Sequence, residues 1–570
     1  MPPSLKFFVE NGMLPMTLEN LNTVACVSRE CQTAEHVGRR TALALLLADP
    51  ERRQKEWMSA VRSQSPKLLR ELIAVAGPTL LALEDRAGRS CLCIAAESGN
   101  MPTIRYLVGE GGVELLLHPS SCLRAAAAAG HAAVVCWLLR VATANGTECL
   151  HRLLMLQDRA GSSCICAAAA AGRVDVMRQL LSAAKLSGVL GELLMLHAKR
   201  DGSCLCAAAN AGHVDVMREL LRSAKQSGVL DQLLMLKTEE GYTCLYLAVM
   251  SCQLEVVNEL LALNSRFLLN AHNRWGGSCI AAAASDGDLR IVQALLRAAE
   301  RSGDLEEMVA ATNDIGLSVL YSAIRYEHLP VMQEFLRVGG ETLLMHQEGY
   351  SLRGCLHLAA ETQRAGPEIV KILTHYAGAH ARDLLLQTDR HGGTCLHSAV
   401  ENDNMPVLDA LLYAARECGV ESALLCQQDN NGRSCLHLAV LHHLPHAVRA
   451  LLAAARDATC ITELLVLRQN SGGNTCLHLA ASLQGESPKI HDIVLALVDA
   501  GGLELLCMRN DDGDSCLHIA AKGAKDNQWS LYKELLAIGG IALYIIQNKD
   551  QRKAVSYLFE TPNSRWIQTV

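Results

Sequence analysis

Thr394-Cys395-Leu396-His397-Ser398-Ala399 and, forty residues on, Ser434-Cys435-Leu436-His437-Leu438-Ala439 decide how this chain folds. The same phrase recurs as Ser90-Cys91-Leu92, Ser121-Cys122-Leu123, Ser163-Cys164-Ile165, Ser203-Cys204-Leu205, Thr243-Cys244-Leu245 and Ser278-Cys279-Ile280. It continues as Ser318-Val319-Leu320, Gly354-Cys355-Leu356, Thr475-Cys476-Leu477 and Ser515-Cys516-Leu517, at a spacing near 40 residues. Self-similarity at such a period is the signature of stacked structural repeats.

Each copy predicts the same local structure. Asp or Asn followed by Gly, as in Asp85-Arg86-Ala87-Gly88 or Asp429-Asn430-Asn431-Gly432, is turn chemistry. The Ser or Thr then stands where a helix N-cap belongs, its hydroxyl meeting backbone N–H groups that lack intrahelical partners. A short apolar helix follows, then a turn such as Gly172 or Gly212. A second helix opens on a pattern like Val174-Asp175-Val176-Met177 and reaches a Leu-Leu pair, Leu180-Leu181.

Turn, capped helix, tight turn and longer helix resemble the ankyrin repeat, whose signature is T-P-L-H-x-A. Thr394 to Ala399 and Ser434 to Ala439 match it with Cys in place of Pro, and the resemblance runs over residues 54–560. It implies an all-α, ankyrin-like helical repeat solenoid with short hairpin loops. The chain departs from the family in two ways. The family period is about 33 residues, and the surplus here falls in stretches such as Lys185 to His197. We expect an extended second helix there, followed by an apolar segment (Leu193 to Leu196, Leu233 to Leu236) packed under the next hairpin. The family His is replaced by Cys93, Arg124, Cys166 and Cys206 in the first half, which leaves the bonding between those repeats open.

The expected organisation is an N-terminal helical segment (1–50), an array of about 12–13 repeats (51–547) and a degenerate closing repeat with a tail (548–570). Trp57 to Val61 and Leu68 to Leu72 read as a degenerate opening repeat, and Lys549 to Phe559 as a closing one with Lys and Arg facing water. Leu14-Pro15 and Leu21 to Cys31 partly resemble an F-box helix pair, without the aromatic expected after Val27-Ser28-Arg29. A plain helical cap is the simpler reading of the same residues.

Composition narrows the function. Aromatics are 4% of the chain and the net charge is −7 with both signs interspersed, so nothing favours nucleic acid. Met1 to Glu10 has no export-signal pattern, which implies an intracellular, cytoplasmic or nuclear setting and reduced thiols. Leu123 to Ala144 is apolar enough to suggest a membrane span, but Gly130, His131 and Arg140 interrupt it in register with the repeat, so no membrane insertion is expected.

Eleven of the 23 cysteines stand at the first position of a repeat helix. A helix N-terminus favours a thiolate, so this row could be redox-sensitive; the alternative, that Cys is a small buried hydrophobe in the place of Pro, is preferred. Cys435, His437, His442, His443 and His446 are dense in possible zinc ligands, but no C-x-x-C knuckle occurs and His437 belongs to the repeat motif. No nucleotide-loop, zinc-protease, hydrolase or kinase motif is present, so no metal, cofactor or catalytic residue is expected.

The function expected is therefore a monomeric, non-catalytic scaffold or adapter that binds other proteins. The resemblance implies that hairpin tips and first-helix ends carry the contacts. Projected here, these are Glu239, Glu240 and Tyr242; Arg274, Trp275, Ser285 and Asp286; Asp314, Ile315, Leu317, Arg325 and Tyr326. Arg390, His391, Glu401 and Asn402 follow, then the acidic turn Asp511, Asp512 and Asp514. Tyr242, Trp275 and Tyr326 are singled out, because exposed aromatics mark interface hot spots. Two alternatives remain open: a ubiquitin-ligase adapter recruiting through residues 1–50, and a thiol-based redox or metal sensor.

Overall fold

The structure is a computed structural model that describes residues 49–558 apart from 64, 199, 201, 484–487 and 524–529. The F-box-like stretch lies outside the described residues, as does the tail from 559 onward. The chain divides into two units, Met1–Arg274 and Trp275–Val570. Both are built from the same repeat.

One copy from the second unit shows how sequence sets structure. Asp429 Oδ1 accepts from the N–H groups of Asn431 and Arg433, each at 2.8 Å, closing the hairpin turn. Gly432 supplies the left-handed residue at φ 75°. Ser434 then caps the helix Cys435–Leu441. The second helix is Pro445–Asp457, whose Val448, Leu451 and Leu452 are buried, and Pro at its first position fits a site with no intrahelical bond to lose.

The surplus of the long period is a third helix rather than an extension of the second. It appears as Leu190–Met195, Leu230–Met235, Glu421–Cys426 and Ile461–Val466. In each, a Leu-Leu pair such as Leu193-Leu194 or Leu424-Leu425 is buried, the expected packing beneath the next hairpin. Elsewhere Gly-Gly joins the two helices through a kink, with Gly112, Gly340, Gly502 and Gly540 at φ 52–59°. Only glycine adopts that region without strain.

The apolar stretch Leu123 to Ala144 is split into Cys122–Ala129 and Ala132–Ala144 by Gly130 at φ 82°. No helix among the described residues is long and apolar enough to cross a membrane. At the start of the described chain, Pro50–Arg62 and Pro66–Ala76 pair, with Trp57 fully buried. At the far end Lys549 faces solvent as expected, but so do Ile541 and Ile545.

Candidate functional site

The capping positions come first, because they decide what the cysteines and histidines are for. In the second unit His357, His397, His437, His478 and His518 turn Nδ1 back to accept the N–H of their own cap residue, at 3.1–3.3 Å. Nε2–H of four of them donates forward to the next hairpin: Gly393, Arg433, Asp514 and Arg552 carbonyls at 3.0–3.1 Å. These contacts assign the neutral ring with its proton on Nε2. Burial pushes each pKa below the ordinary value, that of His437 to about 4.

In the first unit cysteine takes over that forward bond. Sγ of Cys93, Cys166 and Cys206 reaches the carbonyls of Ser120, Leu196 and Leu236 at 3.5–3.9 Å. In the second unit Glu348 does the equivalent from the other side, its buried carboxylate accepting from the Ser318 N–H (2.7 Å) and hydroxyl. Tyr321 stands at the third helical position there, where His would otherwise serve the cap.

The first-position cysteines are buried and turn their thiols inward. Cys164, Cys395 and Cys435 donate to the carbonyls of Leu154, Leu385 and Leu425 at 3.6–3.8 Å. Burial pushes all three thiols up to about 12. The helix N-terminus is outweighed by desolvation, because thiolate charge has no water to meet. Among the described residues no three His, Cys, Asp or Glu side chains are grouped to hold a metal ion, and Cys435 and His437 are both buried.

In the first unit, the projected contact residues form a small polar patch. Arg274 pairs with Glu240 at 3.1 Å, and its N–H donates to the Glu240 carbonyl at 3.0 Å. Glu239 is exposed beside them. Tyr242 is half-buried, its ring stacked on Tyr246 with centroids 4.7 Å apart.

In the second unit the tips are joined by backbone bonds: Asp314 N–H to the Trp275 carbonyl (3.2 Å), Gly349 to Gly316 (3.0 Å) and Arg390 to Ser351 (2.9 Å). This brings Trp275 (49% exposed), Ile315 (54%) and Tyr350 (80%) onto three successive tips, with Leu317 half-buried and Leu352 exposed. Tyr350 and Leu352 were not anticipated. They sit in the enlarged hairpin Gln347 to Gly354, where Gly349–Ser351 forms a 3-10 turn and Leu352 is left-handed at φ 51°. Its length was visible in sequence; an aromatic at the tip of an aromatic-poor chain was the overlooked signal.

Beyond this patch the tips turn polar. Arg390 and His391 are exposed, and the same bonds continue from Asn430 to His391 (2.8 Å) and from Asn470 to Asn431 (2.9 Å). Asp511 and Asp512 are exposed, but Asp514 is buried, paired with Lys522 and accepting from Asn548 at 2.9 Å. It is a structural anchor and not part of a solvated acidic turn.

Asp286, Arg325 and Tyr326 (58% exposed) gather at the far ends of the first helices, Cys279–Asp286 and Val319–Arg325. Seven helical residues separate them from the tips, about 10 Å. His328 Nε2 fixes this turn on the Ser285 carbonyl at 3.0 Å. Burial raises the Asp286 pKa against the opposing effect of His328.

Parts of the chain are similar to known proteins. Residues 182–270 and 356–460 match the family model described as ankyrin repeats (3 copies). The crystal structure of the ankyrin repeat domain of Bcl-3, a member of the IkappaB family, is 21% identical and covers 51% of this chain and 97% of its own, with a TM-score of 0.30. That of the human ASB11 ankyrin repeat domain is 23% identical, covering 44% of this chain and 98% of its own, with a TM-score of 0.33. No curated protein matches the chain.

Proposed function

We propose that this ankyrin-repeat protein is a non-catalytic scaffold that binds other proteins through the hairpin tips and first-helix ends of its second unit. The observation that carries this reading is the run of exposed Trp275, Ile315 and Tyr350 on successive tips of a chain with 4% aromatics. Large apolar side chains cost solvation where they stand, and burial against a partner recovers it at roughly 25 cal/mol per Å². Tyr326 and Arg325 would flank the apolar centre, and Arg390 and His391 would extend it with positive or polar contacts. Glu239, Glu240, Tyr242 and Arg274 would form a separate, polar contribution from the first unit. Ankyrin-repeat families are generally interaction modules without catalysis, and the donor sets above are consumed in holding repeats together.

The test compares capture by the intact chain with capture by Trp275→Ala/Ile315→Ala/Tyr350→Ala and by Trp275→Ala/Tyr326→Ala. Hot-spot truncations cost about 2–4 kcal/mol each, so partners bound through the tips should be lost from both variants while the helical circular dichroism is unchanged. Retention of every partner would move recognition away from the second unit's tips.

A further inference from the structure

The tips that carry Trp275, Ile315 and Tyr350 are held in register by backbone bonds, and that register has a length. The Asp314 N–H donates to the Trp275 carbonyl at 3.2 Å, and the Gly349 N–H to the Gly316 carbonyl at 3.0 Å. A Cβ on Gly349 would lie 2.6 Å from the Ile315 oxygen, so this enlarged hairpin also rests on its neighbour. The Arg390 N–H continues the series onto the Ser351 carbonyl at 2.9 Å. Trp275, Ile315 and His391 hold the same place in their turns, each just before a left-handed glycine: Gly276 at φ 73°, Gly316 at 79° and Gly392 at 74°.

Backbone partners bonded in this way have Cα atoms about 5 Å apart, and the next Cα along the chain is about 3.8 Å further. One tip therefore follows another at about 9 Å. A ligand read by successive tips must bring a side chain to one face at that interval. A β-strand repeats its face every second residue, about 6.6 Å, and an α-helix every turn, about 5.4 Å. A polyproline II helix has three residues per turn, and its face recurs about every 9.3 Å.

Two further observations agree with that conformation. Strand addition needs a free row of backbone groups, whereas the Trp275 carbonyl and Asp314 N–H already bond one another. A polyproline II chain leaves its own backbone in water and docks on aromatic rings, and here Trp275 is 49% exposed and Tyr350 80%. Charge gives the surface two distinct ends. Asp314 is exposed between Trp275 and Ile315, and Arg390 is exposed on the tip after Tyr350.

We propose that the tips of the second unit bind a proline-rich segment in the polyproline II conformation, one turn of ligand per repeat. This rests on the reading that the tips bind proteins, and it fixes the class of segment they take. Apolar residues at every third position lie across Trp275, Ile315 and Tyr350. A basic residue stands at the Asp314 end and an acidic one at the Arg390 end.

The experiment measures the fluorescence anisotropy of labelled synthetic peptides titrated with the full chain. One probe carries three Pro-Pro-Leu triplets between an N-terminal Lys and a C-terminal Asp; a second has the two charged residues exchanged, which suits the opposite chain direction. One of the two should bind better than the other. Peptides of the same composition with Leu at every second or every fourth position should bind at least about tenfold more weakly, the scale of losing one hot-spot contact. Trp275→Ala/Tyr350→Ala should weaken the better probe by a similar factor with unchanged circular dichroism. Asp314→Arg/Arg390→Glu should invert the preference between the two probes. Equal binding at every Leu spacing, or a preference that survives the charge exchange, would overturn the proposal. So would failure of every peptide to bind; if captured partners were still lost from the tip variants, the scaffold reading would stand without it.

Discussion

Nε2 of His478 lies 3.0 Å from the carbonyl oxygen of Asp514, 36 residues ahead, while Nδ1 accepts the N–H of its own cap residue Thr475 at 3.3 Å. One neutral imidazole therefore closes a helix and fastens it to the following repeat. It can do both only while Nδ1 carries no proton.

This makes acid a specific stress on the second unit. Burial lowers the five motif histidines, so the unfolded chain takes up protons near pH 6.5 that the fold refuses. Their contribution is complete above about pH 6.5 and falls away as the pH drops below it. For His437, held near 4, the loss by pH 4 is about 3 kcal/mol. Glu348 and Asp286, whose carboxyls burial raises, act in the opposite sense. Urea midpoints should fall between pH 7 and 5, and His437→Cys should flatten that slope. An unchanged slope in the variant would contradict the assignment.

Thiol labelling should follow burial rather than position at a helix start. Among the described residues Cys252 is exposed and Cys136, Cys418, Cys426 and Cys507 are half-buried; the first-position cysteines are buried. Under native conditions an alkylating reagent should modify Cys252 first and reach Cys164, Cys395 or Cys435 only on unfolding. Fast native labelling of those three, mapped by mass spectrometry, would revive the redox row.

Two left-handed glycines should respond differently to a methyl group. At Gly432 a Cβ would sit 2.6 Å from the Asn470 backbone nitrogen; at Gly303 it would meet nothing within 4 Å. Gly303→Ala should cost only the conformational penalty of about 1 kcal/mol. Gly432→Ala must also break the approach of two tips, and should cost about 2–4 kcal/mol, with the clash added to the same penalty. Equal shifts in urea midpoint would show that the tips are not in contact.

Much of this was legible in sequence, because the cap hydroxyl, the Gly of the turn and the Leu-Leu pair act locally and recur. The third helix was not. Leu190–Met195 is six residues with two buried leucines, too short to show a helical period. Tyr242 was expected to be exposed, and its half-burial depends on Tyr246 standing one turn further on. Asp514 looked like part of an acidic turn because its partners, Lys522 and Asn548, lie 8 and 34 residues away. The tip residues Tyr350 and Leu352 were missed because a projected template has no place for an enlarged hairpin.

The bonds between tips have a mechanical meaning. Asn430 holds His391, and Asn470 holds Asn431, so each repeat is tied at its tip to the ones beside it. Under tension such a series has no long-range clasp to break all at once. Pulled from its ends, the second unit should surrender its length in small steps, each about 130–145 Å for a repeat near 40 residues, and take it back in the same increments when the load is eased.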